Sequence, residues 1–344
     1  MSFLCYFSPI RGKAKLRRKG KLMSESVNIE NEKQNHCQPP RGLKRITCDT
    51  ITCPAAWFFT GIWAIAAIYL IVIGRLLIVF RAFILLIVVM FFCLVTVRLT
   101  TTVHKPETQS SRKRKALLLL QILVIILFIF ISFYTSLMFH SIVKHRSIPL
   151  WTPVIRAFGN LGKKLLDPDF FGPPSLAMAN IAKYFLLPLP LLLLLGARLT
   201  RLGLCRGHRT FSVVALWCFI PAGFLIYMIA SGRLSFKGLI RRFLLHLFQN
   251  GFGEEFLFRG ALQTRLKAFL SPSWSIVIQG LLFGIWHFGA NHGYKGITSV
   301  SAVIAYCILF QATAGLAFGI IFQRTRNLIA CTLIHIITNC VFIN

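Results

Sequence analysis

The chain has 344 residues, 56% of them hydrophobic and 14% charged, against about 45–50% apolar and roughly 25% charged in a soluble domain. Its continuous apolar runs, several of about 20 residues, are long enough to span a bilayer and exclude the short alternating strands of a β-barrel. A formal net charge of +30 would suggest nucleic acid in a soluble protein, but here Lys and Arg flank the apolar runs. That placement fits a positive-inside bias and attraction to anionic headgroups, so the expected fold class is an all-α polytopic membrane protein whose partner is the lipid bilayer, not nucleic acid.

Residues 1–54 carry eleven Lys/Arg within the first 45 positions, including RGKAKLRRKGK, and are rich in turn formers. Such a segment cannot bury enough apolar surface to order itself and reads as a disordered cytoplasmic tail. The first apolar run begins at Ala55, too far along for a cleavable signal peptide, and is expected to act as an uncleaved anchor. It continues to 97, too long for one span, with an expected turn at Gly74 and Arg75. A basic loop over 98–115 leads to a span at 116–139, and 140–175 reads as a mixed loop holding Asp167 and Asp169. Spans at 176–197, kinked at Pro188 and Pro190, and at 211–230 complete an N-terminal transmembrane region over 55–235. From 236 to 344 the character changes. Arg241, Arg242, His246, Glu254, Glu255 and Arg259 interrupt 236–262, and apolar helices follow at 274–290, 299–322 and 327–343. With the N-terminus in the cytoplasm, loops 98–115, 198–210, 263–273 and 323–327 lie inside and hold six, four, two and two Lys/Arg, which sets the expected orientation. The expected location is a bacterial cytoplasmic membrane. Ten cysteines without a CxxC pair read as free thiols.

The stretch FGEEFLFRGAL (252–262) carries the functional question. Glu254 and Glu255 are the only side-chain carboxylates after Asp169. A charge at membrane depth costs at least ~2.5–3.5 kcal/mol, so these groups face the bundle interior or a water-filled cavity. Glu255 and Arg259 are spaced for an i,i+4 ion pair in the favoured order, while Glu254 sits about 100° round the helix. One carboxylate is then neutralised by arginine and the other is free for chemistry; the alternative is one buried cluster of all three that only holds helices together. His287 lies one turn after Phe283 in an apolar helix, and His335 and Asn339 share a face of the last helix. Gly280 with Gly284 and Gly315 with Gly319 form two GxxxG pairs that allow close helix approach. A glutamate paired with a histidine can activate water for attack on a carbonyl, and a second histidine with an asparagine amide can donate to the developing oxyanion. Neither GxSxG nor HExxH occurs, yet Glu254, His287 and His335 could supply a three-ligand site for a divalent metal such as zinc. His246 fits no motif and reads as a packed or interfacial histidine.

EEFLFR (254–259), FGIWH (283–287) and HIITN (335–339) match EExxxR, FxxxH and HxxxN in the order found in the CPBP intramembrane proteases, the group that contains the type II CAAX prenyl endopeptidases. The chain resembles that family over about 236–343. The resemblance implies a bundle of about eight transmembrane helices with a polar cavity opening into the membrane. It implies that Glu254 and His287 activate water, that His335 and Asn339 form the oxyanion site, and that Glu255 and Arg259 support them. The family has been called metalloprotease, although its mechanism can be written with glutamate and histidine alone, so the metal stays open. Eukaryotic relatives cut the last three residues from prenylated CAAX proteins, and other members process peptides or confer bacteriocin immunity. The expected function is therefore an intramembrane endopeptidase acting on a membrane-anchored protein or peptide. The competing readings are a non-catalytic immunity or scaffold protein and an ion-coupled transporter using the same polar residues as a relay.

Overall fold

The computed structural model describes residues 53–100 and 112–342; the tail expected over 1–54, apart from its last two residues, and most of the loop expected over 98–115 lie outside them. Among the described residues every regular element is helical and no strand occurs. In chain order the main helices are α1 (Pro54–Val72), α2 (Leu76–Leu99), α3 (Arg112–Phe139), α4 (Trp151–Leu165), α5 (Pro174–Leu194), α6 (Thr210–Ala230), α7 (236–266), α8 (Pro272–Trp286), α9 (Val300–Thr325) and α10 (Leu328–Phe342). Six of them, α1, α2, α3, α5, α6 and α9, are long and apolar enough to cross a membrane, and α8 and α10 are apolar but shorter.

The long apolar run divides at Gly74 as expected. The amide of Gly74 donates to Ile71 O (2.9 Å) and that of Arg75 to Leu70 O (2.8 Å), while Gly74 takes φ +77°. Only a residue without Cβ adopts that conformation cheaply at a helix end. The segment 140–175 differs from the expected loop, because it contains α4. The buried face of α4 includes Gly159 and Gly162, and a Cβ on Gly159 would meet Ser175 O at 3.4 Å. Arg156, Lys163 and Lys164 are exposed. The helix is nonetheless amphipathic, so its period is present in the sequence and the expected loop is corrected to a helix.

Three helices depart from α geometry. In α5 a π-turn at Ala182–Leu186 precedes Pro188, with Leu187 N donating to Ala182 O at 3.0 Å. Proline lacks an N–H and crowds the carbonyl four residues back, and the wider turn relieves that contact. Further π-turns occupy Leu247–Gly251 and Phe256–Gln263 in α7 and Ile308–Ala312 in α9. Such turns concentrate at functional sites.

Among the six long helices α9 is the most enclosed, with 67% of its most apolar stretch buried. One core joins it to α1, α2 and α8 through Phe59, Leu70, Ile276, Val303 and Leu309. A second, including Ile125, Leu192, Phe256, Phe318 and Ile334, joins it to α3, α5, α7 and α10. The two GxxxG pairs meet between α8 and α9. A Cβ at Gly315 would lie 2.9 Å from Gly280 Cα, and one at Gly284 would lie 2.7 Å from Ala312 Cβ, so the backbones touch. Two α9 carbonyls are thereby offered to neighbouring side chains. Gln279 Nε2 donates to Gly315 O at 2.8 Å, Gln263 Nε2 to Gly319 O at 2.9 Å, and Arg259 Nη2 to Gly315 O at 3.4 Å.

Candidate active site

Glu254 and Glu255 end a single α-turn, Phe252–Glu255, between the two π-turns of α7. They are 5% and 0% exposed, and Arg259 is 0% exposed, so each charge needs a partner inside the protein. Glu255 Oε2 pairs with Arg259 Nε at 3.2 Å, the i,i+4 pair expected from the sequence. Its other oxygen, Oε1, accepts from His335 Nδ1 at 2.9 Å. An ionised carboxylate only accepts, so His335 carries its proton on Nδ1 and keeps Nε2 for another partner. The His335 ring stacks on Phe318 (5.2 Å, 18°). The Arg259 guanidinium lies 4.2 Å from the Phe283 ring centroid and 5.2 Å from that of Phe318.

Glu254 turns to a different partner. Its Oε2 lies 3.6 Å from His287 Nε2. His287 is the residue just past the last turn of α8, not an interior position of a helix running to 290 as expected. Its Nδ1 donates to Phe283 O at 2.8 Å and so satisfies one of the carbonyls left open at a helix C-terminus. A carbonyl cannot donate, so Nδ1 holds a proton, and in the neutral ring Nε2 presents its lone pair to Glu254. With the neutral ring two acceptors face each other, and Glu254 Oε2 has no hydrogen bond among the described residues. Phe283 links the groups further, since its ring also lies 4.5 Å from that of His287.

The charged residues thus fall into two sets, Glu254 with His287 and Glu255 with Arg259 and His335. Asn339 follows His335 by one turn on α10 and is half-buried. Among the described residues no three His, Cys, Asp or Glu side chains come together as ligands for a metal. Of the three candidates, Glu254 and His287 face each other, while His335 gives Nδ1 to Glu255 and keeps Nε2 as its remaining ring nitrogen. Among the described residues the three side chains do not converge on one point as a three-ligand zinc site requires.

Several residues bear on the site without having been singled out by their chemistry. Gln263 and Gln279 are 0% exposed and tie α7 and α8 to α9. The signal for Gln263 was its spacing, since Glu255, Arg259 and Gln263 recur every four residues along the π-turn. His246, read as packed or interfacial, is 4% exposed and lies within electrostatic reach of His335 and Arg242. Its neighbourhood is set by the meeting of α7 and α10, which the sequence does not reveal.

Residues 236–341 are homologous to the family described as type II CAAX prenyl endopeptidase Rce1-like. The match begins with the first residue of α7 and ends within α10, so this Rce1-like segment contains Glu254, Glu255, Arg259, His287, His335 and Asn339. It covers under a third of the chain and leaves out α1 to α6. No curated protein and no solved structure matches the chain.

Proposed function

We propose that this protein is an intramembrane endopeptidase that hydrolyses a peptide bond in a membrane-associated protein or peptide, with a prenylated CAAX-like chain as the substrate class that the family match favours. One observation carries the reading. Glu254 Oε2 and His287 Nε2 lie 3.6 Å apart, with Oε2 free of any hydrogen bond among the described residues, inside the Rce1-like segment. A water at this pair donates to both and gives up a proton to Glu254 as its oxygen attacks the carbonyl carbon. The proton then passes to the leaving amine as the C–N bond breaks. His335 and Asn339 stabilise the oxyanion. Because Nδ1 of His335 is committed to Glu255, Nε2 donates only from the imidazolium form, for which Glu255 is the countercharge. Arg259 holds Glu255 in place for that task.

In this reading 236–344 is the catalytic unit, 55–235 supplies the surrounding transmembrane helices, and 1–54 is a basic cytoplasmic tail. The bundle encloses a polar cavity that opens into a bacterial cytoplasmic membrane. The test uses purified full-length protein and an S-farnesylated CAAX-type peptide, with products read by mass spectrometry. Wild type releases the C-terminal fragment, and Glu254→Gln, which keeps shape and hydrogen bonding, abolishes release without lowering Tm. Equal turnover by both proteins removes Glu254 from the mechanism. Absence of cleavage by wild type favours a role in which the polar residues serve packing alone.

A further inference from the structure

His287 stands at a break in the helix, so the ladder of α8 does not by itself fix where its ring reaches. A single turn, Phe288–Asn291, follows it. Asn291 donates to His287 O twice, from its backbone N at 3.1 Å and from Nδ2 at 2.9 Å. The same Nδ2 lies 3.5 Å from Cys307 Sγ, and Oδ1 accepts from Gln311 Nε2 at 3.3 Å. Both partners belong to α9, and Gln311 sits in its π-turn Ile308–Ala312. That turn also contains Ala312, the residue closest to Gly284 of α8. On the other side Gly289 packs on α3, where a Cβ would lie 2.6 Å from Ser136 Oγ.

We propose that Asn291 and Gln311 are positioning residues that clamp the main chain of His287 to α9 and thereby set the reach of its Nε2 towards Glu254. Every polar group of the Asn291 side chain has a partner in this clamp, and a satisfied network in a low-dielectric interior is stiff. The catalytic consequence rests on the peptidase reading above, whereas the clamp itself rests on the distances. A misplacement of about 1 Å at a reacting group costs on the order of 10²-fold in rate. Asn291→Ala and Gln311→Ala are therefore expected to lower kcat about ten- to a hundredfold with KM and Tm little changed. Asn291→Asp keeps the acceptor for Gln311 and the backbone bond to His287 O but loses the side-chain donor, so it is expected to lose as much as Asn291→Ala. The double variant Asn291→Ala/Gln311→Ala is expected to lose no more than the worse single one, because both act through one contact.

The experiment compares these variants with wild type on the S-farnesylated CAAX-type peptide, together with ¹⁵N-histidine NMR of the detergent-solubilised protein. The His287 signal is assigned by its loss in His287→Gln. One narrow His287 signal in wild type, broadened or doubled in both alanine variants, is the expected result. Wild-type kcat in well-folded Asn291→Ala and Gln311→Ala proteins overturns the proposal. So does a fall in Tm with unchanged turnover per folded molecule, which is what a merely structural role predicts. If wild type cleaves nothing while the His287 signal still depends on Asn291 and Gln311, the clamp stands and the peptidase reading falls.

Discussion

Two carboxylates in succession on a helix point about 100° apart, and here that angle separates two kinds of partner. Glu255 bridges Arg259 and His335, so removing its charge leaves a fully buried guanidinium uncompensated. Glu255→Gln is expected to lower stability by about 3–5 kcal/mol, the usual result of breaking a buried pair from one side. Thermal unfolding in detergent checks this, with Glu254→Gln as the comparison that keeps its Tm. Equal melting of wild type and Glu255→Gln would remove the bridge from the account of stability. For Asn339 the expected signature is kinetic. Asn339→Ala should lower kcat by about 10²–10³-fold with little change in KM if its amide meets the oxyanion. Full turnover in a folded Asn339→Ala protein ends that assignment.

At the scale of the helix, the π-turns and the glycines decide what can reach what. The Phe256–Gln263 turn aligns Glu255, Arg259 and Gln263 along one side of α7, where Arg259 and Gln263 meet the carbonyls of Gly315 and Gly319 on α9. Those carbonyls are within reach because α8 and α9 touch at backbone distance. Gly315→Ala places a methyl 2.9 Å from Gly280 Cα, against backbone that cannot rotate away. It is expected to cost about 1–3 kcal/mol through overpacking and to lower turnover by shifting the acceptor of Arg259 and Gln279. Gly61→Ala in α1, where a Cβ meets nothing within 4 Å, is the matched control and should lose neither. Tm and turnover measured on both proteins check the contrast; equal behaviour would show that the close approach is not what holds α9 in place.

Across the whole molecule, hydrogen bonds gather several helix ends at one pole. Arg324 near the end of α9 donates to Thr100 Oγ1 (2.7 Å) and Val97 O (2.6 Å) at the end of α2. His208 N donates to Thr325 O at 2.8 Å, and Leu328 N to Gly203 O at 3.1 Å. Arg265 Nε donates to Gln121 Oε1 at 3.0 Å, and Gln121 Nε2 to Leu195 O at 2.7 Å. The segments read from charge as inside loops therefore border one another, which is what odd and even spans returning to the same side require. The charge bias predicts that this pole faces the cytoplasm. Cys205, partly exposed there, should stay unmodified by a membrane-impermeant maleimide in intact cells and react after permeabilisation. Reaction in intact cells would invert the orientation.

The helical membrane class is legible in the chain alone, because lipid offers no partner for backbone groups and long apolar runs can satisfy them only as helices. So are the turn at Gly74, where only a residue without Cβ is at ease, and the Glu255–Arg259 pair, whose geometry is local to one helix. Packing between helices is what makes His335 answer to Glu255 and sets His287 at the end of α8 facing Glu254. The physical reason is the same in each case. Periodicity assigns a residue to a face of its own helix, whereas the face opposite is chosen by close contacts at glycines and by π-turns that shift the register. Those contacts join residues as far apart as 255 and 335, and no local pattern encodes them.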